Sequence, residues 1–134
     1  MALKYPPRPG AVLKCDYRGG FEPPEMVKTR CVVVISPRFP KRKGLATVVP
    51  LSTTPPRPVM GYHCTIRFDP PLPRPFDGIE KWVKADMIAT VSEDRLSALF
   101  SKVDGKRIFD NRKVSDEDLA RIRECVRFAI GDVD

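Results

Sequence analysis

Three short segments, residues 24–30, 49–54 and 82–86, place polar or charged side chains directly beside apolar, β-branched runs. The first segment supplies a guanidinium, the second supplies hydroxyls and the third supplies a carboxylate. A guanidinium offers a planar fork of donors that matches phosphate oxygens, a hydroxyl both donates and accepts, and a carboxylate can accept a proton. Groups of these types at the margins of core strands are suited to holding a phosphodiester and moving protons around it.

The charge of the chain favours a polyanionic partner. The 134 residues include 24 Lys and Arg against 17 Asp and Glu, which gives a net charge of +7. Residues 1–91 contain 15 Lys and Arg against 7 Asp and Glu, whereas residues 92–134 are nearly neutral. Excess positive charge promotes phosphate contacts and counterion release, although a merely soluble basic domain has the same balance. The positive field therefore belongs to the part of the chain that contains the three segments.

The composition predicts one folded domain, residues 1–134, without a metal or other cofactor. A hydrophobic fraction of 42% and a charged fraction of 31% are typical of a domain with a real core. The four cysteines include no C-x-x-C pair and the chain has a single histidine, which argues against a zinc site. No apolar run approaches the length of a membrane span, and the N-terminus lacks the apolar stretch of a signal peptide. We therefore expect a cytoplasmic protein with reduced thiols and no membrane partner.

Proline divides the chain into two parts. All 15 prolines lie at or before Pro75. Because proline is excluded from central strands and helix interiors, the pattern predicts that the first part consists of short strands separated by hard turns. We predict strands at residues 11–17, 31–35, 45–51, 62–69 and 81–88, with a further edge strand at 106–109.

The proline-free part is free to be helical. Ser92 is a candidate N-cap, and the apolar residues that follow it at helical spacing predict a short helix; they are Leu96, Leu99 and Phe100. Ser115 begins a last helix with a capping-box-like pattern, and Gly131 ends it. Five or six short strands and a closing helix predict a mainly β fold, a small and strongly twisted antiparallel barrel with a C-terminal helix.

In their order along the chain, the three segments resemble the PemK/MazF family of bacterial toxin ribonucleases. They read Pro-Glu-Met-Val-Lys-Thr-Arg, Val-Pro-Leu-Ser-Thr-Thr and Trp-Val-Lys-Ala-Asp, and the resemblance spans about residues 9–86. It implies a Src-homology-3-like barrel that cuts single-stranded RNA without a metal, by attack of the 2′-hydroxyl, leaving a cyclic phosphate and a 5′-hydroxyl. It also implies a homodimer and neutralisation by a cognate antitoxin protein.

The resemblance assigns roles to residues of the first two segments. In the family, the arginine at the position of Arg30 is catalytic and is usually followed by proline, whereas Cys31 follows it here. Ser52 occupies the position of a serine or threonine that contacts the scissile phosphate, and Thr53 lies beside it. A serine or threonine that only satisfies its own backbone turn would give the same pattern.

The third segment resembles an Arg-x-Asp pair that provides acid and base in one branch of the family. Here the pair is Lys84 and Asp86, and positions two apart on a strand point to one face. A lysine is a point charge rather than a fork, so it grips phosphate less specifically. A surface ion pair between the two side chains is the alternative interpretation.

The remaining candidates concern the base and RNA binding. Glu25 is an alternative to Asp86 as general base, and the loop that contains it is a candidate lid over the substrate. Residues that we expect to contact RNA are Lys28, Trp82, Lys84, His63, Lys41, Arg42 and Lys43. Trp82 is suited to stacking on a base and is equally suited to a core. His63, the sole histidine, falls on the polar face of the strand predicted at 62–69, so we expect it to face solvent.

Two other classes of function fit the sequence. A non-catalytic barrel module would bind nucleic acid or an acidic protein segment without cutting RNA, since one fold supports many roles. A protein-interaction subunit would show no salt-dependent RNA binding at all.

Overall fold

The computed structural model describes residue 3 and residues 5–132. Met1, Ala2, Lys4, Val133 and Asp134 lie outside the described residues. They include both ends of the predicted domain and part of the N-terminal segment in which we expect no signal peptide.

The described residues form an antiparallel sheet of eight strands and one C-terminal helix. The strands are β1 Val12–Asp16, β2 Thr29–Val34, β3 Leu45–Ser52, β4 His63–Arg67, β5 Glu80–Lys84, β6 Ala89–Ser92, β7 Leu96–Val103 and β8 Lys106–Asp110, and the helix is α1 Asp116–Ala129. Their order in the sheet is β4-β5-β3-β2-β1-β7-β8, and β6 pairs with β3 off this path. The predicted class, a small twisted antiparallel β fold with a C-terminal helix, is confirmed, and the sheet remains open between β4 and β8.

Both faces of the central strands are buried. On β2, Cys31 and Val33 belong to a helix-side core in which the sheet packs against α1, whereas Val32 and Val34 belong to a far-side core on the opposite face. The helix contributes Leu119, Ile122 and Cys125 to the helix-side core. Because β2 is apolar from Cys31 to Val34, its polar side chains, Thr29 and Arg30, lie at its start.

The prediction of a helix after Ser92 is wrong. Ser92 does cap a turn, since its Oγ accepts a hydrogen bond from the amide of Asp94 at 3.2 Å, but that 3-10 turn spans only Glu93–Arg95 and leads into β7. Leu96 lies in the far-side core and Leu99 in the helix-side core. A spacing of three that indicates one face of a helix thus reflects a strand whose two faces are both buried.

The strand predicted at 81–88 is shorter than expected. It ends at Lys84, and Ala85–Met87 forms a 3-10 turn before β6. The predicted edge strand is present as β8, and the predicted last helix is present as α1, where Oγ of Ser115 accepts from the amide of Asp118 at 3.0 Å. Gly131 follows α1 with a φ of 83°, a left-handed conformation that favours glycine. Among the described residues, no helix has the length and apolar character needed to cross a bilayer.

Opposite-face burial in β7 predicts additive effects of substitution. Leu96→Val and Leu99→Val should each lower the free energy of unfolding by about 1 kcal/mol for the lost methylene. The double variant should lose the sum within about 0.5 kcal/mol, because the two side chains share no partners. Urea unfolding measures the three values, with exposed Val103→Ala as a control that changes little. Strong coupling between the two leucines would contradict their assignment to separate cores.

Candidate functional site

Ser52 and Trp82 are directly opposite each other in the β3–β5 pair, so their side chains share a face with Cβ atoms about 5 Å apart. Arg30 lies near the start of β2, the strand next to β3 in the sheet. The β2–β3 pairing ends at Val32 and Pro50, and beyond Pro50 the strand β3 pairs with β5. Arg30 and Ser52 therefore lie at the same end of two neighbouring strands, each two residues past their last pair.

Arg30 has an unsatisfied donor. Its side chain is half-buried, and its Nε is buried with no hydrogen-bond partner among the described residues. The hydroxyl of Tyr17 is in the same condition, and burial raises the pKa of that hydroxyl above its ordinary value. Buried polar groups are nearly always hydrogen-bonded in folded proteins, and Nε of Arg42, on a loop away from Arg30, is a third buried atom without a partner. Nothing in the sequence distinguishes Tyr17 from an ordinary core residue.

The two hydroxyls of the second segment differ in environment. Ser52 is only 9% exposed, and its Oγ accepts a hydrogen bond from the amide of Thr54 at 3.1 Å. The serine turn anticipated as the alternative is therefore present, and it leaves the O–H of Ser52 available as a donor. Thr53 is exposed and, by strand alternation, points to the other side of the β3 terminus.

His63 does not face solvent. Its side chain is only 6% exposed, because the chain turns back just before β4 and the amide of Met60 donates to Nδ1 of His63 at 3.0 Å. The ring of Tyr62 covers it at 4.5 Å between centroids. Since Nδ1 is an acceptor, the proton of the neutral imidazole is on Nε2, and Nε2 lies 3.9 Å from Oδ1 of Asp86. The expected solvent-facing position was thus wrong, and the histidine faces a candidate catalytic carboxylate.

Asp86 lies in the 3-10 turn after β5, so the strand argument that aligned it with Lys84 is wrong. Lys84 is the last residue of β5 and is directly opposite His63 in β4. Lys84 shares its face of the strand with Trp82, and both are half-buried. The ion pairs among the described residues include none between Lys84 and Asp86. The turn places Asp86 beside His63 rather than in line with Lys84.

Glu25 and Asp86 line the same cavity. A cavity of about 260 Å³ lies between the β1–β2 loop, residues 17–28, and the turn after β5. Glu25 lines it from the loop and Asp86 lines it from the turn, with Tyr17 and Met26 in its walls. Oε1 of Glu25 accepts from the amide of Glu22 at 2.8 Å, so this carboxylate also holds the shape of the loop. Exposed Lys28 lies at the far end of the same loop.

The β1–β2 loop is tied to the sheet at its first turn. The guanidinium of Arg95, from the 3-10 turn before β7, donates to the carbonyl of Asp16 at 2.8 Å and to that of Arg18 at 2.9 Å. The same group stacks over Phe21, 4.9 Å from the ring centroid. Arg95 is thus a positioning residue for the loop that carries Glu25, and the sequence contains no signal that would have identified it.

The basic loop at 41–43 is not part of this cluster. It connects the end of β2 to the start of β3, whereas Arg30 and Ser52 lie at the opposite ends of those strands. At about 3.3 Å per residue, the separation along β2 is roughly 15 Å or more. Arg42 stacks on Phe39, 4.8 Å from the ring centroid, and both line a separate cavity of about 470 Å³.

Lys81 is a buried charge that sequence analysis missed. It lies on β5 opposite Ile66, two residues before the core residue Val83, and is only 3% exposed. Burial lowers the pKa of its amine below the ordinary value, and burial raises the pKa of the nearby Cys31 thiol to about 12. Strand alternation from Val83 was the available signal, because it assigns Lys81 to the buried face.

No group of three or more His, Cys, Asp or Glu side chains within the part of the chain that the structure describes is arranged to hold a metal ion.

Comparison with known proteins places the chain in a family. Residues 8–130 match the family described as PemK-like, MazF-like toxin of type II toxin-antitoxin system. An uncharacterized protein of Haemophilus influenzae is 34% identical over 116 residues, covering 76% of this chain and 78% of the relative. The putative uncharacterized protein YifN of Escherichia coli is 32% identical over 115 residues, covering 72% of this chain and 76% of the relative.

Solved structures share the fold at lower identity. A crystal structure of MazF from Deinococcus radiodurans superposes with a TM-score of 0.66 at 17% identity, covering 96% of this chain and 99% of that one. A mycobacterial endoribonuclease in complex with its cognate antitoxin superposes with a TM-score of 0.58 at 20% identity, covering 94% and 96%.

Burial of the Lys81 amine predicts that the fold is less stable with it than without it. Lys81→Met should raise the free energy of unfolding at neutral pH, because burial lowers the pKa of the amine and methionine has no charge to desolvate. Because the unfolded chain then binds the proton more tightly than the fold, wild-type stability should rise with pH as the pH approaches the ordinary lysine pKa. The difference in free energy of unfolding between Lys81→Met and wild type should therefore decrease as the pH rises.

Urea unfolding at several pH values measures this advantage. The exposed lysine variant Lys102→Met is the matched control and should change stability little at any pH. A Lys81→Met protein that is less stable than wild type would show that the amine is satisfied in the fold.

Proposed function

The chain belongs to the PemK-like, MazF-like toxins of type II toxin-antitoxin systems, and on that premise we propose that it is an endoribonuclease that cuts single-stranded RNA. Two structures of similar fold are titled as endoribonucleases, which supports this activity for the present chain. The observation that carries the proposal is the guanidinium of Arg30, with Nε unpartnered, at the same end of the sheet as Ser52. A phosphodiester is the ligand that we propose for this guanidinium.

The proposed reaction needs no metal. A carboxylate takes the proton of the ribose 2′-hydroxyl, O2′ attacks the adjacent phosphorus, and the bond from phosphorus to O5′ breaks. The products are a 2′,3′-cyclic phosphate and a 5′-hydroxyl, the latter completed by a proton from an acid. DNA has no 2′-hydroxyl, so the same site would leave DNA intact.

Arg30 and the hydroxyls would hold the phosphate. The guanidinium would donate to the two non-bridging oxygens as negative charge develops on them, and the O–H of Ser52 would donate from the end of β3. Thr53, on the other side of that strand end, would reach this phosphate only if the β3 terminus turns on binding. Arg30 is also our candidate for the acid that protonates O5′. Trp82, directly opposite Ser52, would stack on a base beside the phosphate.

We favour Asp86 over Glu25 as the base. One oxygen of Glu25 accepts from the amide of Glu22, whereas Oδ1 of Asp86 lies 3.9 Å from Nε2 of the buried His63, a separation that would have to shorten for a hydrogen bond to form. His63 would therefore act as a positioning residue that orients the Asp86 carboxylate. Lys84, opposite His63, would supply positive charge for the RNA backbone.

A homodimer, a cognate antitoxin and a cytoplasmic location complete the proposal. One structure of similar fold is titled as an endoribonuclease in complex with its cognate antitoxin. For the present chain, an acidic or amphipathic antitoxin segment would cover the positively charged face that contains Arg30 and Lys84 and exclude RNA from it.

Removal of the guanidinium should abolish cleavage without unfolding the protein. The purified protein is incubated with a long single-stranded RNA in EDTA, and fragments are tested for 5′-hydroxyl ends. Arg30→Ala should lower the rate at least about 10² to 10³-fold, the effect of losing a transition-state donor. Arg30→Lys, which keeps the charge but loses the fork, should retain an intermediate rate. Binding of RNA without fragments, by the wild-type protein, would favour the non-catalytic module instead.

Two isosteric variants distinguish the roles of the Asp86 and Glu25 carboxylates. Asp86→Asn should lower kcat about 10² to 10⁴-fold, the range for loss of a general base, whereas Glu25→Gln should act mainly through KM. His63→Gln keeps a donor near the Nε2 position and should retain more activity than His63→Asn, which keeps only the acceptor for Met60. Single-turnover rates at saturating RNA measure these effects. A larger fall in kcat for Glu25→Gln than for Asp86→Asn would assign the role of general base to Glu25.

A further inference from the structure

The cavity that Glu25 and Asp86 line is only partly used by the proposed reaction. Its volume of about 260 Å³ is just below the range of about 300 to 1,000 Å³ that is typical of sites for drug-sized ligands, so it suits a smaller group. Asp86 is our candidate for the general base, whereas the interior between the turn after β5 and the β1–β2 loop has no assigned occupant. The lining of the cavity indicates which kind of group fits there.

The walls of the cavity are mainly apolar and include an aromatic ring that is held in place. Phe21, Met26 and Ile88 line it, together with Tyr17, which is only 1% exposed. The ring of Phe21 lies 5.3 Å from that of Tyr17 between centroids, and the guanidinium of Arg95 packs over the same ring. Unpaired bases of single-stranded RNA stack on aromatic side chains of this kind. A planar base therefore suits these walls.

The polar side-chain groups that a ligand can reach in the cavity are carboxylates. Glu25 and Asp86 are exposed, whereas the hydroxyl of Tyr17 is buried. An ionised carboxylate has about four acceptor positions and no donor. The amide of Glu22 uses one such position on Oε1 of Glu25, and no hydrogen bond among the described residues engages Oε2. The loop thus fixes this carboxylate and leaves it free to accept from a ligand that presents donors.

Guanine is the base whose donors match a carboxylate. Its Watson–Crick edge carries N1–H and N2–H side by side, and two parallel donors engage both oxygens of a carboxylate. Adenine and cytosine each carry an amino group next to a ring acceptor, and uracil carries one N–H between two carbonyl oxygens. A carboxylate that faces any of these three edges meets at least one acceptor, which it repels.

A cationic side chain of a protein partner would also present donors to the two carboxylates. The chain has a net charge of +7, and Lys84 directly precedes the turn that contains Asp86, so the approach of a cation is opposed electrostatically. A neutral base on an anionic strand brings donors without that repulsion. The charges around the cavity therefore favour RNA over a basic peptide.

The position of the cavity assigns the base to one nucleotide of the RNA. In the proposed reaction, Asp86 takes the proton of the 2′-hydroxyl that attacks phosphorus, and Asp86 also lines the cavity from the turn. Glu25 lines it from the loop on the other side. The base on the same ribose as the attacking hydroxyl is therefore the one that enters the cavity.

We propose that this cavity is a guanine pocket, in which the carboxylate of Glu25 accepts from N1–H and N2–H of the base on the 5′ side of the cut and Phe21 packs against the base. This inference rests on the proposed ribonuclease function. It makes Glu25 a residue that determines specificity rather than the general base, and it predicts that RNA is cut after guanosine.

The first experiment compares substrates that differ in one edge of one base. Sequencing of the fragments from a random single-stranded RNA pool identifies the base that precedes each cut, and guanosine should predominate. In an RNA of the preferred sequence, replacing that guanosine by inosine removes only the N2 amino group and should lower kcat/KM roughly 10-fold, within the discrimination of a bidentate base contact. Replacing it by 7-deazaguanosine alters the opposite edge of the base and should change kcat/KM little.

Three variants test the protein side of the same contact. The oxygen of Glu25→Gln can still accept from the amide of Glu22, but its amino group replaces an acceptor by a donor, so guanosine and inosine substrates should be cut with similar, lowered kcat/KM. Glu22→Gln removes the same charge from the same loop outside the cavity and should keep the wild-type ratio. Asp86→Asn should slow both substrates equally. Thermal unfolding checks that each variant is folded.

A binding measurement tests the pocket apart from cleavage. The probes are fluorescent 2′-fluoro oligonucleotides that consist of uridine apart from one guanosine or one inosine, and they lack the hydroxyl needed for cutting. Wild type should bind the guanosine probe several-fold more tightly than the inosine probe, whereas Glu25→Gln should bind the two alike.

The outcomes separate the pocket from the activity. If wild type cuts RNA but treats guanosine and inosine alike in rate and affinity, the guanine pocket is wrong and the ribonuclease function stands. If Glu25→Gln lowers kcat on both substrates and keeps the wild-type ratio, Glu25 is the general base and the pocket is again wrong. If wild type cuts no RNA but prefers the guanosine probe through Glu25, the pocket stands and the proposed activity fails.

Discussion

Burial of the central strands on both faces is the constraint on which the rest of the structure depends. β2 and β3 contribute alternately to the helix-side core and to the far-side core, so an unpaired polar side chain within them would be costly. Polar chemistry is thereby displaced to the strand ends. The antiparallel register then decides which ends meet, and it sets the start of β2 beside the end of β3. That pairing brings Arg30 and Ser52, 22 positions apart in the chain, to the same end of the sheet.

The same constraint explains which parts of the structure could be predicted from the sequence. Proline positions and the capping pattern at Ser115 depend on local sterics and hydrogen bonds, and they correctly predicted the strand-rich first part and α1. Leu96 and Leu99 led to the wrong prediction of a helix because residues three apart lie on one face of a helix. In a strand, residues three apart lie on opposite faces, and in this sheet both faces are buried. Short apolar runs carry this ambiguity until the rest of the sheet is known.

The candidate site was predictable in part. Arg30, Ser52 and Trp82 could be named from the three polar segments beside apolar runs, but the opposition of Ser52 and Trp82 follows only from the strand register. Asp86 could not be oriented, since β5 ends one residue before Ala85 and a 3-10 turn redirects the carboxylate. His63 was expected in solvent because alternation assigns a face but does not show what covers that face, and here Tyr62 and the turn at Met60 cover it. Lys81 was missed, although strand alternation from Val83 assigns it to the buried face.

The tether between Arg95 and the β1–β2 loop has a consequence for substrate range. Its hydrogen bonds to the carbonyls of Asp16 and Arg18 hold the first turn of the loop against the sheet, and Gly19 and Gly20 follow with φ values of 72° and 108° that glycine tolerates readily. The distal half of the loop is braced as well, because Glu22 and Glu25 exchange hydrogen bonds of 2.8 Å in both directions. In the proposed RNA complex, a loop held at both of these points would favour nucleotides that fit its existing shape.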